Sequence, residues 1–253
     1  MKLHSVIIGK GKPFLILHGF LGMGDNWKTI GRKISQEEYQ VHLIDQRNHG
    51  RSPHSDVFSY SAMAKDILEY CHDNNLKEIV LMGHSMGGKT AMFFATENPT
   101  RVEKLIVVDI ATKYYPPHHQ TILKGLSFVN SQKITSREKA DEHLSRYVSE
   151  PDVRQFLLKN LYWKTKDELS LRLNLEVLNK KLEAVSEPLP QEKIFSKETL
   201  FIKGEKSGYL LEKDQVEIRK HFPNFELVMV ESAGHWVHAE NPNGFFEKLT
   251  DFL

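Results

Sequence analysis

The chain has 253 residues, 34 Lys plus Arg against 33 Asp plus Glu, 40% hydrophobic residues and one cysteine. That length supports one large core, and the near-neutral charge excludes the basic field on which nucleic-acid binding depends. One cysteine excludes an intramolecular disulfide, and no apolar run approaches the ~20 residues of a membrane span.

The first apolar run, residues 3–8, is soon broken by Gly9 and Lys10. It is too short for a signal h-region, so a cytoplasmic location is expected. Further runs at 14–17 and 41–44 read as strands buried on both faces of a mainly parallel sheet. His18-Gly19-Phe20 closes the second run and places the Phe20 N–H as an oxyanion donor, with His18 expected to support that loop rather than to bind a metal. The polar, glycine-bent segment 45–52 can contact substrate, but hydrogen bonding that holds loop 18–20 is its first expected role. Cys71, in the amphipathic stretch 62–74, is expected to be a small buried hydrophobe.

The run 79–82 leads directly into Gly83-His84-Ser85-Met86-Gly87-Gly88, followed by the helix-like stretch 89–97. G-x-S-x-G between a strand and a helix is a nucleophile elbow: its glycines relieve crowding in a sharp turn that holds the serine hydroxyl proud of the sheet. The Met86 N–H opens the helix and offers a second oxyanion donor, while His84, at the variable position, is expected to pack nearby. The run 105–108 ends on Asp109.

Between 112 and 197 no comparable strand is expected, only helical patterns at 136–148, 152–161 and 169–182, bracketed by Pro116-Pro117 and Pro188-Leu189-Pro190. The prolines disfavour continuous helix and read as hinges or loop punctuation. Phe156, Leu157, Leu161, Tyr162 and Trp163 form an apolar cluster, from which at least one aromatic is expected to line a pocket. Trp163, with Trp236, is the candidate substrate contact. Strand runs resume at 200–202 and 227–230, and Ala233-Gly234-His235 then sets a histidine in a loop near the end of the chain.

A serine, then an acid, then a histidine is the chain order of α/β-hydrolases, not that of chymotrypsin or subtilisin. The acid is the open point. In the turn after run 200–202, where an aspartate is expected, the chain has Ser207. Asp109 closes the strand expected beside that of Ser85 and needs a partner if buried; Glu205 and then Asp214 are the alternatives, and an Asp109 that merely caps a turn is the bland reading. His118-His119 is not spaced for one helix face, and His235 with His238 lacks the acid of a zincin motif, so no metal or cofactor is expected.

The segments HGFLGMGDNW (18–27), DQRNHGRSP (45–53), GHSMGGK (83–89), VVDIA (107–111) and GHWVHAENP (234–242) resemble those of YbfF-type esterases of the α/β-hydrolase superfamily, related to mitochondrial abhydrolase-domain proteins. The likeness spans the chain and is weakest across 112–197, where QFLLKN (155–160) still fits. It implies Ser85 as nucleophile, His235 as base and the aspartate of VDIA, Asp109, as acid, with serine tolerated at position 207. Gly208 stands where proline is common, implying a looser turn. The expected fold is α/β: a mainly parallel twisted sheet with helices on both faces and a helical cap inserted after the sixth expected strand of an α/β-hydrolase. The expected organisation is core 1–111, cap or lid 112–197 and core 198–253.

The expected activity is cofactor-independent hydrolysis of small acyl esters or thioesters by a Ser-His-Asp triad, with no nucleic-acid partner and no stable membrane insertion. The sequence sets no oligomeric state. Two rivals stay open: a lyase or carbon–carbon hydrolase using the triad as base, and a non-catalytic small-molecule receptor.

Overall fold

Alternating apolar residues decide the layers in a computed structural model that describes residues 1–253. The strands are β1 (Ser5–Ile8), β2 (Lys12–Leu17), β3 (Tyr39–Ile44), β4 (Ile79–His84), β5 (Val102–Val108), β6 (Leu161–Trp163), β7 (Leu169–Leu171), β8 (Thr199–Gly204) and β9 (Phe225–Val230). The α-helices are α1 (Lys28–Ile34), α2 (Tyr60–Asp73), α3 (Met86–Glu97), α4 (Gln120–Ser131), α5 (Arg137–Ser145), α6 (Pro151–Leu158), α7 (Leu175–Lys180), α8 (Gln215–His221), α9 (Val237–Glu240) and α10 (Pro242–Thr250). In β2 and β4, Leu15, Leu17, Ile79 and Leu81 face one core while Phe14, Ile16, Val80 and Met82 face the other. Side chains alternate across a strand, so a strand buried on both faces reads as an unbroken apolar run. Cys71 is buried in the first of these cores, as expected.

The seven-stranded sheet has the order β1-β3-β2-β4-β5-β8-β9, parallel throughout except for the β1–β3 pair. All seven expected strands are present, some two or three residues longer. From β2 the chain crosses to β3 on one side, then returns to β4 on the other. This reversal opens a crevice beyond the carboxyl ends of β2 and β4, the place where open α/β sheets bind ligands. Loop 18–20 leaves the end of β2 and Ser85 the end of β4.

The segment 112–197 follows β5, after the five expected strand runs. It departs from the sequence reading in one way: it contains a strand pair, β6 antiparallel to β7, where a helix was expected from residue 169. Leu169 and Leu171 alternate with Ser170 and are buried opposite Trp163 and Leu161; this is a two-residue period, and helix α7 starts only at Leu175 behind an Asn174 cap. The buried leucines of this insertion continue the larger of the two cores.

Both crossings into the insertion are tied to α3. Lys89, wholly buried, sends its ammonium to the carbonyls of Lys113 (2.6 Å), Glu187 (2.6 Å) and Thr112 (3.5 Å). Burial pulls its pKa down to about 7, against which the carbonyl acceptors and the nearby Glu187 favour the charged form. The proline pairs lie just beyond these carbonyls on the insertion side at 116–117 and at the far crossing at 188–190.

Candidate active site

Ser85 has φ 53° and ψ −117°, a backbone conformation that a non-glycine residue holds only when its surroundings enforce it. Close packing of the turn enforces it here. A Cβ on Gly83 would overlap the Gly87 carbonyl, and one on Gly87 would overlap that of Leu17, so the elbow closes only with glycine on both sides. The Ser85 N–H donates to Val108 O on neighbouring β5 at 3.0 Å. Met86 is the first residue of α3, so its N–H has no acceptor within the helix and stays available to an anion.

Just past the end of neighbouring β5, Asp109, with φ 51°, is completely buried. Its carboxylate accepts from His235 Nδ1 at 2.7 Å, from the Gly204 N–H at 3.1 Å and from the Ser207 hydroxyl. A buried charge needs such donors, and Ser207, at the position where an aspartate was expected, supplies one of them. The bond to Asp109 fixes the Nδ1–H tautomer of His235 and leaves the lone pair on Nε2. The other two acids are engaged elsewhere: Glu205 accepts from the Ser232 N–H at 2.8 Å, and Asp214 accepts from the Leu211 N–H at 2.9 Å and pairs with Lys113 at 2.5 Å.

The loop after β2 is held by the polar segment that follows β3. Gln46 donates its N–H to His18 Nε2 (2.9 Å) and its side-chain amide to the His18 carbonyl (2.7 Å). His49 Nε2 accepts from the Leu21 N–H at 3.2 Å, and Arg47 forks onto Asp66 at 2.6 and 2.8 Å. From the insertion, Asn160 donates to the Leu21 carbonyl at 2.8 Å. The first expected role of residues 45–52, holding loop 18–20, matches these bonds. His84 donates from Nε2 to the His235 carbonyl at 2.9 Å, so the elbow also fixes the histidine loop. Burial holds His84 well below the ordinary histidine range, His18 at about 4, and His49, His119 and His238 at about 3, so these rings are neutral supports at pH 7.

Ser85, His235, Phe20 and Trp236 open together onto a cavity of about 320 Å³. The insertion supplies its opposite wall, chiefly Ile122, Tyr147, Val153, Phe156 and Leu157. Phe156 stacks obliquely on Trp236 with ring centroids 5.5 Å apart, so one aromatic of the expected cluster does line the pocket. Trp163 does not. It is 58% exposed and absent from the cavity wall, because it ends β6 where the chain leaves the core for the hairpin turn. His118, His119 and Tyr209, all on the wall, were not expected there from sequence. The adjacent histidines invited only a metal test, and Tyr209 becomes visible as a neighbour of His235 only after folding.

A family model for the alpha/beta hydrolase fold matches residues 12–132. The sn-1-specific diacylglycerol lipase ABHD11 of Xenopus laevis is 36% identical over 250 residues, covering 96% of this chain and 80% of that protein. Esterase YbfF of Escherichia coli K12 is 30% identical over 244 residues, covering 95% and 92%. Among solved structures, a marine microorganism esterase superposes with a TM-score of 0.94 at 39% identity, over 100% of this chain and 99% of that one. The likeness to YbfF-type esterases read from the sequence segments is borne out. No helix is long and apolar enough to cross a membrane.

Proposed function

Because this chain belongs to the α/β-hydrolase family, we propose that it is a serine esterase or thioesterase acting on small acyl substrates through Ser85, His235 and Asp109. One observation carries the reading: the His235–Asp109 bond of 2.7 Å lies beside a serine held in elbow geometry on the same apolar cavity. His235 Nε2 takes the proton of Ser85 as its oxygen attacks the acyl carbonyl carbon. The carbonyl π pair moves onto oxygen, where the Phe20 and Met86 N–H groups hold it. Collapse expels the alcohol or thiol, which receives the proton from His235. Water, deprotonated by the same histidine, then releases the carboxylic acid and restores the serine. Asp109 holds the imidazole in register and offsets its transient positive charge.

In this reading residues 112–197 form a cap over core segments 1–111 and 198–253, and the acyl chain lies against Phe156 and Trp236. An apolar wall with few polar groups suits a hydrocarbon chain. The test is labelling with a fluorophosphonate, followed by mapping of the modified residue. Labelling at Ser85, together with turnover of p-nitrophenyl esters, is expected; an unlabelled, folded protein that does not turn over these esters overturns the reading.

A further inference from the structure

Tyr209 lies face to face with His235, ring centroids 3.9 Å apart and planes 16° from parallel. Three hydrogen bonds of its own hold it there. Its N–H donates to Ser207 Oγ at 3.2 Å, the hydroxyl that also serves Asp109. Its carbonyl accepts the Tyr115 hydroxyl at 2.6 Å, and that hydroxyl accepts the Ala111 N–H at 2.8 Å. Its own hydroxyl meets His118 Nε2 at 2.5 Å, while His118 Nδ1 meets the Pro116 carbonyl at 3.0 Å. A carbonyl can only accept, so His118 Nδ1 donates to it, and in the neutral ring Nε2 accepts from Tyr209. Burial pushes the Tyr209 phenol up to about 12, so it remains a donor at neutral pH.

We infer that Tyr209 is a positioning residue for the hydrolytic reaction, its aromatic face stabilising the imidazolium that His235 becomes when Ser85 attacks. The inference rests on the serine-hydrolase reading. An aromatic face attracts a cation through its quadrupole, and more strongly where water is excluded. A phenol that donates its proton to His118 carries more electron density in the ring, which strengthens the attraction. The groups facing His235 fit this role. Asp109 offsets charge at Nδ1, whereas His84, His119 and His238 are held neutral by burial and do not repel the cation. Because His118 follows the Pro116-Pro117 pair, the same contact ties the base to the crossing into the insertion.

The experiment compares wild type, Tyr209→Phe and Tyr209→Leu. Each is followed by the rate of fluorophosphonate labelling and by kcat and KM for p-nitrophenyl butyrate across pH. Phenylalanine keeps the face and should stay within about threefold of wild type. Leucine fills similar space without it, and should lose about tenfold in labelling rate and in kcat, the size a partly desolvated cation–aromatic contact supports. Its KM should be nearly unchanged and the acid limb of its pH profile should move to lower pH, because a less stabilised imidazolium gives up its proton sooner. A leucine variant with an unmoved acid limb and a changed KM makes Tyr209 a mere wall of the cavity and overturns the inference. Equal losses in both variants overturn it as well, since the ring would then not be what matters. Wild type that does not label at all removes the hydrolase reading, and this inference with it.

Discussion

The core side of the crevice and the insertion above it are built on opposite plans. On the core side, every group assigned to the chemistry stands at the end of a strand, on strained or tightly packed backbone, inside a web of buried polar bonds: Ser85 after β4, Asp109 after β5, His235 beyond β9. The insertion offers mostly hydrocarbon and aromatic rings carried by short helices, with Asn160, His118, Lys113 and Tyr115 among its polar links to the other side. Strand ends fix atoms to fractions of an ångström, which bond-making demands. Helical side chains supply a surface whose shape alters by substitution, which discrimination among acyl chains demands. Changes on the core side should therefore act on kcat by orders of magnitude, and changes above it on substrate preference by modest factors.

The largest expected effect is that of Ser85→Ala. It should fold and lose about a million-fold in kcat, the loss typical of such nucleophiles; near-normal turnover in purified, folded mutant protein would remove the nucleophile. Asp109→Asn comes next, with a loss of up to about ten-thousand-fold in kcat from a misoriented imidazole, while Glu205→Gln should be close to wild type. A crippled Glu205→Gln beside an active Asp109→Asn would reverse the assignment of the acid.

Acid should weaken the core side, and the crossing into the insertion at His119, through buried histidines. In the folded protein His18 titrates at about 4 and His49, His119 and His238 at about 3, with His84 also depressed, whereas the unfolded chain takes up these protons near 6.5. A depressed histidine contributes fully above the unfolded value and loses its contribution as pH falls toward the folded one. Each ring then costs up to about 1.4 kcal/mol per pH unit below roughly 6.5. The melting temperature should fall steeply between pH 6 and 4; a flat profile from pH 6 down to 4 would show that these rings are already protonated or exposed.

The smallest effects belong to the insertion. If the cavity holds an acyl chain, each buried methylene adds about 0.8 kcal/mol until the slot is full, so kcat/KM should climb with ester length and then level off. Phe156→Ala should shorten the preferred chain and cost roughly tenfold for the longest good substrate. Trp163→Ala, at the exposed end of β6, should leave the profile unchanged. A Trp163→Ala profile that changes as much as that of Phe156→Ala would erase the distinction between wall and rim.

The same division decides what could be read before folding. Strands buried on both faces leave continuous apolar runs, and the elbow requires glycines at fixed spacing, so the sheet, Ser85, His235 and the candidacy of Asp109 are legible in the sequence. Glu205 and Asp214 drop out only in the folded chain, because partner choice is a matter of distance. The hairpin of β6 and β7 hides because three-residue strands are too short to establish a period, and that is also why Trp163 reads as pocket when it is rim. Tyr209 leaves no pattern, since nothing local in its segment announces a ring stacked on a histidine that follows two elements later.

Lys89 has a consequence for motion. One ammonium joins the carbonyls of both crossings, so the insertion is a bag drawn shut at its neck, and the knot sits on the helix whose first residue follows Ser85. Opening that neck means stripping a cation of its acceptors and disturbing the elbow helix. The economical way to admit a substrate is for α4, α5 and α6 to part from one another above a closed neck, as the cloth gives while the string holds. Entry above a closed neck leaves the Lys89 knot in place, and different helices can be hung from it, with Asn160 still tying the end of α6 to the loop after β2.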